Sequence, residues 1–224
     1  MRLRNTNPTA VRSVPFTLVE LLTVMLIMGI LLAVTVPAVI KITSGSSVEA
    51  ASRMVGSQLR LARQEAITKR KTIAVLFPTA STATDPVAYV GFRPCIVERA
   101  TSGTADYTWL GWVQNTTWSF VPVGAVLAEV DQDGTRSTGG AVPVPPVDNT
   151  ITTVGSVPGF AADTRAIVFK PSGQIGASLQ RFVTLVEGAV PTGSATPVIK
   201  NRTNWIDINV NQFTGRVTYQ RLGE

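Results

Sequence analysis

Glu20 is the residue whose surroundings ask most of chemistry. It is the one charged side chain between Arg12 and Lys41, inside a long apolar run. An ionisable group at membrane depth costs about 2.5–3.5 kcal/mol on insertion scales for comparable charges, so it asks for a partner. Thr17 offers a local one: Thr17-Leu18-Val19-Glu20 has the S/T-x-x-E form of a capping box. A carboxylate in the first turn also suits the helix dipole. A cap accounts for an acid near a helix start, but not for a helix starting inside an apolar run.

Elsewhere the reactive residue types are sparse. With no histidine in 224 residues, Ser-His-Asp and Cys-His arrangements and most catalytic zinc sites are excluded. No Gly-rich loop follows a strand and opens a helix, so nucleotide binding has no support. Asp131-Gln132-Asp133-Gly134 begins like an oxygen-ligand calcium loop but lacks the later ligands, and reads as a polar turn. Cys95 is the single cysteine and closes no intrachain disulfide; between Pro94 and Ile96 it reads as a small buried hydrophobe. Tyr107, Trp109, Trp112 and Trp118 would suit base stacking, yet no lysine or arginine lies between Tyr107 and Asp131. Strand packing is the favoured reading of that run, while DNA stays open as a partner. The expectation is a non-enzymatic protein with no cofactor and no metal site.

The elements that must position Glu20 start with the apolar run itself. Residues 21–40 carry no charge, and a helix of that length spans roughly the 30 Å core of a bilayer. Arg2, Arg4 and Arg12 precede it with no acid beside them. Without residues 1–15 the net charge falls from +6 to +3, so the basic balance is mostly topological and places the N-terminus in the cytoplasm and the rest outside. A cleaved secretory signal would have a shorter apolar core and a small-x-small site after it; a retained anchor fits better. Pro37 removes one helical hydrogen bond and reads as a kink tolerated in a membrane helix. Residues 43–47 read as a soft joint. Beyond them Val48, Ala51, Val55, Leu59, Ala62 and Ala66 share one helical face, an apolar stripe that must lie against something, most simply a sheet of the same chain.

From Lys71 the period switches from 3.6 to 2. Strands are predicted over 72–77, 87–92, 95–98, 107–113, 117–121 and 125–130, then a long exposed loop over 131–154. Further strands follow over 165–169, 182–186, 205–210 and 215–219. Residues 170–173 form a turn, and 211–215 close a C-terminal hairpin. About 150 residues remain for this head, enough for one real core.

Phe16-Thr17-Leu18-Val19-Glu20-Leu21-Leu22, followed by apolar residues with Gly29 and Pro37, closely resembles the N-terminus of type IV pilins and type II secretion pseudopilins. The resemblance implies that a prepilin peptidase removes residues 1–15 between Pro15 and Phe16 and that the new amine of Phe16 is methylated. Glu20 then pairs with the amine of a neighbouring subunit during filament assembly, an ammonium and carboxylate at i, i+4 lying on one helix face. Pro37 matches a position where the helix can loosen on assembly. The family places Gly or Ala before the cleaved bond, where this chain has Pro15, whose ring fixes φ and removes an amide donor.

Residues 58–67, 167–173 and 208–217 further resemble the H-type minor pseudopilins and their fimbrial relatives, the GspH/FimT group. The implied fold is α+β: a pilin-like lollipop whose long N-terminal helix packs on a mainly antiparallel β-sandwich head. Its parts are a leader over 1–15, a membrane or filament-core helix over 16–42, an amphipathic helix over 43–71 and a β-rich head over 72–224. The implied function is a minor pseudopilin of a type II secretion pseudopilus, held in the bacterial inner membrane with its head in the periplasm. Its partners would be other pseudopilin or pilin subunits, the prepilin peptidase, the inner membrane and secreted cargo. Two alternatives stay open: a minor pilin binding DNA for uptake or adhesion, and a membrane-anchored binding domain that never polymerises.

Overall fold

The structure, a computed structural model, describes residues 17–78, 87–103, 105–132, 152–160, 164–176, 181–192, 194 and 196–221, with the backbone alone over 34–45 and 129–132. The chain divides into two compact units, Met1–Ile42 and Thr43–Glu224. A helix α1 (Leu18–Lys69) opens at Thr17 and ends at Arg70, whose φ of 52° leaves the helical region. The helix assignment continues through 43–47, where a joint was expected.

In the second unit the expected stripe is the helical side of the core. Val48, Ala51, Val55, Leu59 and Ala66 are wholly buried and Ala62 nearly so. They join one cluster with Ile73, Phe77, Phe92, Ile167, Phe169, Leu185, Ile208 and Val217. Outside the stripe, Glu49 pairs with Arg53 and Glu65 with Lys69. Such exposed i, i+4 pairs add only about 0.3–0.5 kcal/mol each, so burial of the apolar stripe holds this stretch of helix in place.

Among the described residues ten strands follow: β1 (Ile73–Phe77), β2 (Gly91–Arg99), β3 (Tyr107–Trp112), β4 (Ser119–Phe120), β5 (Ala125–Gln132), β6 (Thr153–Gly155), β7 (Thr164–Phe169), β8 (Arg181–Ala189), β9 (Val198–Val210) and β10 (Val217–Arg221). Pairing is antiparallel except between β3 and β6. The α+β class and the mainly antiparallel pairing are as expected. Where a sandwich was expected, the first sheet closes on itself. β1 pairs with both β7 and β2, and β7–β6–β3–β2 complete a five-strand ring with β4 paired to the start of β2. Ala74, Leu76, Cys95, Val97, Tyr107, Val154, Ala166 and Val168, drawn from all five, make a second core. β1 and β7 are therefore buried on both faces, which is why Ile73-Ala74-Val75-Leu76-Phe77 is apolar without alternation. The other sheet has the order β10-β9-β8-β5.

Local chemistry explains where strands depart from the predicted ones. Residues 87–90 turn rather than extend: Tyr89 has φ 60°, and the Gly91 amide donates to the Val87 carbonyl at 2.7 Å. β2 therefore begins at Gly91 and takes in the strand predicted over 95–98. The predicted loop over 131–154 yields the end of β5 and the start of β6, while its middle lies outside the described residues. β9 begins well before Trp205, because its exposed polar start pairs with β8 past two register shifts. The C-terminal hairpin forms as expected. The Asn211 carboxamide oxygen accepts the Phe213 and Thr214 amides at 3.0 Å, and Gly215 takes φ 62°.

Candidate assembly site

Thr17 makes the hydroxyl half of the capping box, its Oγ1 accepting the Glu20 amide at 3.2 Å. The Leu21 amide closes the first turn on the Thr17 carbonyl, and the Thr23 hydroxyl donates to the Glu20 carbonyl at 2.9 Å. The local reading of Glu20 thus holds for its backbone, and the residue itself is exposed. Pro15 and Phe16 lie outside the described residues. Pro37 lies within α1, and its side chain is not among those described.

Around Glu20 the large apolar side chains of residues 18–32 are exposed, from 47% at Val24 to 77% at Leu18. Burying one such side chain is worth about 1.5–3 kcal/mol, so this stretch has a strong unmet demand for an apolar environment. Among the described residues no helix is long and apolar enough to cross a membrane. The described side chains of the apolar run end at Ala33, and the expected span over 21–40 runs past them.

The other sites weighed in the sequence fall within the second unit. Cys95 is buried in the ring core, where burial pushes its thiol pKa well up, as expected of a packing residue. Tyr107 is buried and donates from its hydroxyl to the Gly176 carbonyl at 3.1 Å; its pKa is also raised by burial. Trp109, Trp112, Trp118 and Phe160 stand in a row of tilted and edge-to-face contacts at 5.7–5.8 Å between centroids. The aromatic run therefore packs largely on itself, as favoured.

One cation near that run was missed. Arg93 on β2 lies 4.0 Å above the Trp112 ring and donates to the Thr116 carbonyl at 2.6 Å. The β2–β3 pairing brings them together, Cys95 standing opposite Trp112, and no local sequence signal shows it. Among the described residues no cluster of acids and cysteine could hold a metal. Of the polar turn at 131–134, Asp133 and Gly134 lie outside the described residues.

A Thr17-capped apolar helical stretch in the first unit and, in the second, an amphipathic stripe packed into a β-rich core fit the α+β plan of pilin-like proteins. Residues 51–204 match the family model described as type II transport protein GspH, and since this is more than half of the chain, the protein belongs to the GspH family. No curated protein matches the sequence. Among solved structures the chain is similar to the minor pseudopilin EpsH of the Vibrio cholerae type 2 secretion system, with 15% identity, 80% of this chain and 98% of that chain covered, and a TM-score of 0.43. It is similar as well to the type IV minor pilin FimU of Pseudomonas aeruginosa, with 12% identity, 80% and 92% covered, and a TM-score of 0.41.

Proposed function

We propose that this GspH-family chain is a minor pseudopilin, a non-enzymatic subunit of a short filament that serves protein secretion. The observation that carries the reading is the exposed apolar stretch of α1 over 18–32 with the single carboxylate Glu20 near its start. Such a surface needs lipid before assembly and sister helices after it. In this reading residues 21–40 span the inner membrane, with Arg2, Arg4 and Arg12 holding the N-terminus in the cytoplasm and the head in the periplasm. A prepilin peptidase cuts between Pro15 and Phe16, the Phe16 amine is methylated, and Glu20 pairs with that amine on a neighbour. The bilayer carries no water to screen the pair, which makes it a register for stacking rather than a surface contact. Pro37, which offers no amide to the carbonyl one turn before it, supplies the place where the helix loosens as it leaves the membrane.

Glu20→Leu tests the central step. The apolar substitution leaves membrane insertion intact and lowers incorporation into filaments at least about tenfold, the equivalent of 1.4 kcal/mol. Incorporation at the native level would reduce Glu20 to a helix cap.

A further inference from the structure

On the second unit, the solvent side of α1 and the strand beside it carry arginines that no described carboxylate neutralises. The Arg60 guanidinium lies over the Tyr219 ring of β10, 5.2 Å from its centroid. One turn on, Arg63 donates from Nε to the Gly173 carbonyl at 3.1 Å, with its stem against Gly215. Arg221 is two residues past Tyr219, hence on the same face of β10. A ring face and a backbone carbonyl orient Arg60 and Arg63 without cancelling their charge, and the nearby acids of α1, Glu49 and Glu65, are engaged with Arg53 and Lys69. Two apolar side chains border the arginines: Ile67 on α1, 43% exposed, and Phe213, 69% exposed at the tip of the β9–β10 turn. Ile67 borders Gly173 and Arg63 borders Gly215, so the two turns and the helix meet at this corner.

We infer that this corner is a docking surface for an acidic segment of a partner polypeptide, one that sets carboxylates on Arg60, Arg63 and Arg221 and an apolar side chain against Ile67 and Phe213. Oriented guanidinium forks bind carboxylates bidentately, and arginine beside exposed aromatic and aliphatic side chains is the composition of protein interfaces. Nucleic acid fits less well, because the Tyr219 face that would stack a base is already covered by Arg60. The inference deepens the filament reading by giving the chemistry of a partner, and it rests on that reading only for the partner being another envelope protein.

The test uses the full chain in detergent micelles and a fluorescein-labelled glutamate-leucine peptide, followed by anisotropy at low and physiological salt. Binding weakens at least about tenfold in the Arg60→Gln/Arg221→Gln double variant. Phe213→Ser weakens it further, and Lys200→Gln/Arg99→Gln, which removes the same charge elsewhere, leaves it unchanged. Thermal melts confirm that each variant is folded. No binding of the peptide, equal losses in both double variants, or tighter binding of a mixed-sequence single-stranded oligonucleotide would each overturn the inference. The readout is independent of N-terminal processing: an uncleaved chain that still binds the peptide through Arg60 and Arg221 would sink the filament reading and leave the surface standing.

Discussion

The two halves of α1 have different partners. Over residues 48–66 one face is apolar, and its residues are buried at 0–1% exposure against strands of the same chain. Over 18–32 the side chains, Glu20 and Thr23 apart, are apolar all round and exposed. A stripe asks for a surface on one side, whereas an all-round apolar helix asks for a surrounding medium. The environment of the second half is encoded in the chain itself; that of the first must come from lipid or from other molecules. Substitutions in the two halves should therefore differ in kind.

The largest contrast is between two leucines. Leu59→Ala opens a cavity in the core cluster that α1 shares with the strands and lowers the stability of the second unit by about 2–5 kcal/mol, read from denaturant midpoints. Leu26→Ala, in the exposed stretch, leaves that transition within about 0.5 kcal/mol of the native chain. Equal losses would break the comparison. Gly215→Ala comes next. At φ 62° a new Cβ would overlap the Gly173 carbonyl oxygen and press on the Arg63 stem. A cost of about 1–3 kcal/mol is expected from the backbone alone, again with no effect on membrane insertion.

A smaller effect depends on pH. Burial raises the Cys95 thiol above its ordinary value near 9, so the unfolded chain gives up this proton first. The stabilisation is complete below pH 9 and is lost as pH rises above it. At pH 10 the loss is at most about 1.4 kcal/mol. Tyr107, also raised by burial, acts in the same direction at higher pH. Melts compared between pH 7 and 10 should lose part of this slope in Cys95→Ala, and the native thiol should resist alkylation at pH 7. The smallest effect belongs to the cap: Thr17→Ala costs about 1 kcal/mol of local helix stability. It would speed amide exchange near Glu20 and leave the second unit's melt untouched.

How much of this was legible beforehand follows the range of the forces. The helical stripe, the Thr17 cap and the Asn211–Gly215 turn rest on contacts within a few residues, and types and spacing were enough to find them. The closure of the first sheet depends on β1 choosing two partners, β7 far along the chain and β2 nearby, and no local pattern encodes that choice. Tyr89 at φ 60° was missed because an aromatic in an apolar run looks extended. The start of β9 was missed because Lys200, Asn201 and Arg202 are polar on both faces. Of the assembly site, Glu20 and its apolar surroundings were readable from charge alone. The counter-ion proposed for it belongs to another molecule. The corner of Arg60, Arg63 and Arg221 went unseen because a helix, two turns and an edge strand build it from residues more than a hundred positions apart.

The most direct test of the account is the intact mass and N-terminal fragmentation of this protein taken from assembled filaments. The account predicts a chain that begins at methylated Phe16, with Glu20 five residues in and able to meet a neighbour's amine. A chain in the filament that still begins at Met1, with its arginines and Pro15 in place, would contradict it.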